Sequence, residues 1–185
     1  MRGLAPFVLV LLITAPAFAA TLTGAASPIG ERFCGPSVEA EGVLRCPGPS
    51  GVEAYIHTAD GLSSISLGDP VEGYVSFGET NSLGATMEWR LSDGLPFAGV
   101  VRFRLPAEAA GEGTRDLMAV IKVAEGGRAS CLVAVVDLTV NPEGRDMARR
   151  TADERAASFT CGRDEARIVG ISSEWARDLV LREIP

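Results

Sequence analysis

Residues 131–162 read CLVAVVDLTVNPEGRDMARRTADERAASFTCG and join a strand pattern to a helix pattern between two cysteines. Cys131 to Leu138 is apolar on both faces until Asp137, as expected of a strand buried on both sides. At about 3.3 Å per residue, Cys131 to Val140 spans roughly 30 Å. Asn141-Pro142 then predicts a turn and a helix start: asparagine caps a helix, proline fits its first position, and Glu143 and Asp146 put negative charge at the positive end of the dipole. A helix over about 142–158 climbs about 1.5 Å per residue, roughly 26 Å in all. Folded back antiparallel on its strand, it returns Cys161 to Cys131. Ala148, Ala152, Ala156 and Phe159 make a narrow stripe of small residues that lets the helix lie close to a sheet. Asp146 with Arg150, Arg149 with Asp153, and Arg150 with Glu154 are expected as i,i+4 pairs on its solvated face.

Upstream the chain is dense in strand patterns. Candidate strands are 43–46, 52–57, 62–67, 71–77, 85–91, 99–105 and 117–123, separated by glycine, proline, asparagine and aspartate. Asp60-Gly61 is the best hairpin signal, since both residues tolerate the positive φ of a tight turn. Alternation is cleanest in Val101-Arg102-Phe103-Arg104-Leu105 and in Met87, Trp89 and Leu91, which assigns the apolar residues to a buried face. These two strands should pair across Ser92 to Phe97, with Glu88 or Arg90 opposite Arg102 or Arg104. Beyond Gly162, Ala166 to Ile171 reads as a strand, and a final helix starts near Ser173. The fold class is therefore α+β: mainly antiparallel sheet of about seven to nine strands, one principal helix packed on it, and two disulfides.

The first 19 residues read as a secretory signal, with Arg2 as n-region, Leu4 to Ile13 as apolar h-region, and Ala17-Phe18-Ala19 as a small-x-small cleavage site before Ala20. This apolar stretch falls short of the about 20 residues a membrane helix needs, and no later segment qualifies. Residues 20–33 are small and aperiodic and read as a flexible leader, with a single disulfide-stapled, β-rich domain over 34–185. The expected location is the periplasm or the exterior. There an even count of cysteines favours disulfides, and no C-x-x-C spacing marks a zinc site. Of the three possible pairings, the strand and helix lengths select Cys131–Cys161, which leaves Cys34–Cys46.

The chain carries a net charge of −7, and removal of Arg2 with the signal makes it −8. Such a composition excludes disorder, coiled-coil repeats and a basic nucleic-acid binder. Residues 20–126 hold 14 acidic against 7 basic residues, and 127–185 hold 10 against 9. The strand-rich part could therefore steer a cationic periplasmic or extracellular protein, although acidity also serves ordinary solubility.

Catalytic signals are thin. His57, the single histidine, lies near Ser63, Ser64, Ser66, Asp60 and Asp69 in sequence, but there is no G-x-S-x-G elbow and a hairpin would scatter these groups over two faces. Gly111 to Arg115 is glycine-rich without a Walker lysine and reads as a loop. Asp60 with Asp69, or Glu39 with Glu41, would serve glycosidase chemistry only across a cleft. Trp89, Tyr55 and Tyr74 fit a core better than a groove. No catalytic, cofactor-binding or metal-ligating residue is assigned.

The segments Glu88-Trp89-Arg90-Leu91 through Pro96-Phe97-Ala98, and the unit from Cys131 to Gly162, resemble a group of uncharacterised exported proteins of Gram-negative bacteria. The resemblance covers about half of the chain after the signal and implies a periplasmic domain of unassigned function. In size, acidity and disulfide use the chain is also similar to periplasmic lysozyme inhibitors, without a matching motif. Three functions follow in order: a non-enzymatic periplasmic binding or envelope-associated module, an acidic inhibitor of a cationic hydrolase such as lysozyme, and a hydrolase using His57.

Overall fold

A computed structural model describes residues 20–78, 80–106 and 114–183. The signal segment 1–19, with Ala19 of the proposed cleavage site, and residues 111–113 of the glycine-rich loop lie outside the described residues; Ala20 is exposed. Among the described residues, ten strands form two sheets. The larger has six, β1 (Leu22–Pro28), β6 (Ser82–Ser92), β7 (Leu95–Pro106), β8 (Thr114–Lys122), β9 (Cys131–Asp137) and β10 (Arg167–Ile168), in that spatial order. The smaller has β2 (Gly35–Pro36), β3 (Val43–Pro47), β4 (Glu53–Ala59) and β5 (Leu62–Leu67), all antiparallel. The described residues also form two α-helices, α1 (Gly144–Thr151) and α2 (Glu174–Glu183). The result is a mainly antiparallel α+β fold, in which only β10 runs parallel to its neighbour β9.

The period of two sorts the large sheet into two buried faces. Met87, Trp89, Phe103, Leu117 and Ile121 point toward the small sheet and α2, where they meet Ile65, Leu67, Phe77, Leu179 and Val180. Ala98, Val100, Val120, Val133 and Val136 point the other way and pack on Ala148, Ala152, Ala156 and Phe159. The layers thus run from α1 through the large sheet to the small sheet with α2. Phe77 and Phe103 meet edge to face, with ring centres 4.9 Å apart. Asp60-Gly61, Asp93-Gly94 and Gly126-Gly127 make tight two-residue turns, each with positive φ at both residues.

The lengths of β9 and the returning helix do bring the cysteines together: Cys131 and Cys161 are bridged with Cα atoms 5.7 Å apart, and Cys34 and Cys46 with Cα atoms 4.4 Å apart. Closing the 30-residue separation contributes about 3–4 kcal/mol in the chain-entropy picture.

Several expectations need correction. Residues 20–33 are not an irregular leader, because β1 pairs with β6 over its whole length and anchors Thr21 through Asp93. The folded unit therefore starts before Cys34. Residues 71–77 form no strand; Asp69 accepts the N–H groups of Val71 and Glu72 and turns the chain, leaving one bridge between Val75 and Ile65. The helix begins at Gly144 rather than Pro142, since the Asn141 side chain is drawn away from the cap, its oxygen accepting from Ile171 N and its amide donating to the carbonyls of Asp137 and Ile171. Gly144 allows the helix to touch β9 here, as a Cβ would lie 2.5 Å from Leu138. The regular α-helix ends at Thr151 and a π turn continues it over Ala152–Ala156. The expected strand over 166–171 shrinks to the two residues of β10.

The charged face of the helix reaches across to the sheet, and along α1 itself Arg149 pairs with Asp146 three residues away. Arg90 holds Asp153 through two hydrogen bonds of 2.8 Å, and Arg149 holds Glu88 at 2.7 Å and Asp146 at 2.9 Å. The small-residue stripe brings the helix so near the sheet that these side chains reach across. The hydrogen bond to Asp153 raises the pKa of Arg90 against the opposing effect of burial, and Glu88 does the same for Arg149. Glu88 and Arg90 stand opposite Val100 and Ala98, whereas Arg102 pairs with Asp116 on β8.

Candidate functional site

A cleft of about 440 Å³ opens where the two sheets diverge. Ile29, at the exit of β1, and Ile56 of β4 are almost fully buried, and with the half-buried Leu44 and Leu83 they supply an apolar floor. The same alternation that sends Ala54 and Ile56 inward places Thr58 at the rim, where its hydroxyl lies 3.1 Å from that of Ser63. Glu31 and Arg104, both exposed, add one charge of each sign. An apolar floor beneath a few convergent polar groups is the usual form of a small-ligand site. A second hollow of about 280 Å³ lies beside Phe159 and Cys161, and a shallow one of about 560 Å³ among Arg155, Arg163 and Arg167. Both lack a comparable floor.

The groups near His57 do not converge. The exposed His57 on β4 and the half-buried Ser64 on β5 are paired positions, and the Ser64 hydroxyl donates to the His57 backbone oxygen at 3.4 Å. Ser66 is fully buried and donates to Glu72 O, while Asp69 is occupied by its own turn. Ser63 accompanies Thr58 and Asn81. Glu39 accepts from Ser37. Among the described residues, no group of three or more His, Cys, Asp or Glu side chains could hold a metal ion. Trp89 is fully buried and Tyr55 is 6% exposed, so both belong to packed layers.

Tyr55 nevertheless has unusual electrostatics. Its hydroxyl donates to Glu53 at 2.9 Å. Burial, that hydrogen bond and the charges of Glu53 and Glu39 push its pKa up to about 12, with Arg45 opposing. In the unfolded chain the value returns to about 10. The folded state therefore holds its proton more tightly, so this contribution to stability is complete below pH 10 and is lost as the pH rises toward 12. Urea midpoints measured from pH 9 to 12 are expected to fall across that window, and to fall less in Tyr55→Phe. Equal slopes in the two proteins would refute this account.

Lys122 carries no sequence signal except its rarity, being the one lysine beside 16 arginines. It is 8% exposed, and its ammonium donates to the carbonyls of Ala156 and Ala157 at 3.0 and 3.1 Å and lies 3.5 Å from Glu125. A compact cation placed on the last carbonyls of a helical segment satisfies groups that have no partner within it. Its role is thus structural, and it walls the smaller hollow.

No protein-family model, curated protein or solved structure matches the chain.

Proposed function

We propose that the chain is an exported, non-enzymatic binding module that takes a small, partly apolar ligand in the cleft between its two sheets. The observation that carries this reading is the floor of Ile29, Leu44, Ile56 and Leu83 beneath Arg104, Glu31 and two hydroxyls. A ligand with an apolar body and an anionic or hydrogen-bonding head matches that arrangement. Two disulfides are compatible with a periplasmic or extracellular location. No described helix is long and apolar enough to cross a membrane.

Anilinonaphthalene sulfonate, an apolar dye with one anionic group, tests the reading. It is expected to bind at one saturable site, to bind roughly tenfold or more weakly to Ala85→Trp, which fills the cleft from an exposed wall position, and to weaken in Arg104→Ser. Binding that ignores both substitutions would overturn the assignment.

A second reading is favoured by the layering of charge. The small-sheet unit from Gly30 to Gly78 holds seven acidic and two basic residues, whereas Gly144 to Glu183 holds eight of each. An acidic layer of this kind would draw in a cationic hydrolase such as lysozyme. That reading fails if the protein neither slows lysozyme nor forms a complex with it at low salt.

A further inference from the structure

We propose that β1 is a self-pairing edge, through which two copies of the chain join antiparallel and the six-stranded sheets fuse into one. The inference is independent of the cleft. Of the four sheet edges, three are short or covered: β10 and β2 have two residues each, and β5 is crossed by Val75, which exchanges both backbone hydrogen bonds with Ile65. β1 has seven residues and no register shift against β6. Residues 20–30 contain no charged side chain. Of the devices that normally blunt an exposed edge, shortness, charge and bulges are missing along it, and its one proline, Pro28, stands at the end of the strand.

Backbone parity shows what the edge offers. Asp93 donates to Thr21 O and Ile29 donates to Ala85 O, each at 3.0 Å, and both pairs belong to the register that also sets Leu22 against Ser92. In an antiparallel ladder, hydrogen-bonded positions alternate along the strand. Thr21, Thr23, Ala25, Ser27 and Ile29 therefore face β6, while the N–H and C=O groups of Leu22, Gly24 and Ala26 face outward. Pro28 stands at the next outward position, where its missing N–H costs the sheet nothing.

These outward groups are symmetric about Ala25. A two-fold axis there sets Gly24 against the Ala26 of the second copy and Leu22 against its Pro28, and each outward N–H then finds a carbonyl. Leu22 is 46% exposed, and the side chains meeting across the join are small or apolar and uncharged, with Thr23 set against the Ser27 of the second copy. Such small side chains offer no pockets by which a foreign strand could be read. An identical strand needs none, because symmetry alone supplies the register. This favours a second copy over an extended peptide as the occupant.

The test uses protein purified from the periplasm of an expressing strain, examined by sedimentation equilibrium and by amide hydrogen exchange over roughly a thousandfold range of concentration. The native chain is expected at roughly twice the monomer mass at the upper end. The amides of Leu22, Gly24 and Ala26 should exchange on the order of tenfold more slowly there than in the diluted monomer, while those of Thr23, Ala25 and Ser27 stay protected throughout. Ala26→Pro removes an outward donor without touching a bond to β6 and should give a monomer. Ala26→Lys, which brings two cations together across the join and keeps every backbone donor, should do the same if the proline variant folds poorly. A native monomer at every concentration, a different protein copurifying on this edge, or a dimer that persists in the folded Ala26 variants would each overturn the proposal.

Discussion

Asp137→Ala is expected to destabilise the fold by about 3–5 kcal/mol, because it removes a buried carboxylate that accepts three hydrogen bonds, and bonds to a charged group are worth about 1.5–3 kcal/mol each. Asp137 is fully buried at the end of β9. One carboxylate oxygen accepts the Ser173 amide at 3.0 Å and the Ser173 hydroxyl at 2.5 Å, and the other accepts the Thr139 amide at 2.9 Å. The Asp137 carbonyl also accepts from Asn141, whose side chain grips both backbone groups of Ile171. One residue thus ties the end of the central strand to the segment that carries β10 and launches α2. Domains of ordinary size have about 5–15 kcal/mol of stability in total, so the alanine variant should lie near the edge of folding. Urea unfolding measures the loss directly. Asp137→Asn keeps one accepting oxygen and should lose less. A change under about 1 kcal/mol in the alanine variant would show that water satisfies the freed donors, and would remove Asp137 from the role assigned here.

The second large effect is expected at Trp89. Trp89→Ala should cost about 3–5 kcal/mol, the range for truncating a buried aromatic residue to alanine in a packed core. The indole is fully buried between the sheets, its N–H donates to the Ser27 hydroxyl of β1 at 3.1 Å, and Gly48 lies so flat on the ring that an added Cβ would sit 2.5 Å from it. The loss would therefore fall on β1, β6 and the small sheet together. A Trp175→Phe background leaves Trp89 as the only tryptophan, so its fluorescence reports unfolding of the intersheet core in the parent. If Trp89→Phe in otherwise native protein costs as much as Trp89→Ala, the hydrogen bond to Ser27 dominates over ring volume, contrary to the packing account.

Much of this arrangement was legible from residues alone. Alternation in Met87, Trp89 and Leu91 and in Val101, Phe103 and Leu105 marked the faces of β6 and β7, all six of which are buried. Asp60-Gly61 gave its hairpin, and the opposing lengths of β9 and the helix gave Cys131–Cys161. β1 escaped notice because Leu22-Thr23-Gly24-Ala25-Ala26-Ser27-Pro28 has no apolar periodicity; what places it is backbone pairing with β6, and backbone groups are the same in every residue. Residues 71–77 misled for the opposite reason, since their side chains suit a strand but the Asp69 turn takes their N–H groups first. The cleft was invisible because Ile29, Leu44, Ile56, Leu83 and Arg104 come from five separate parts of the chain, and nothing local in any of them points to the others.

The sequence by itself determined the faces of the strands, the tight turns, the small-residue stripe of the helix and both disulfides, because each depends on local period or on chain length. Only the tertiary structure decided that Arg90 reaches across the layers to Asp153 as well as to Glu88 on its own strand, that Asn141 binds Ile171 instead of capping α1, and that β1 closes onto β6 and leaves one open edge. Those outcomes depend on how far apart the layers lie once their apolar faces have met, and that spacing belongs to the packed core as a whole.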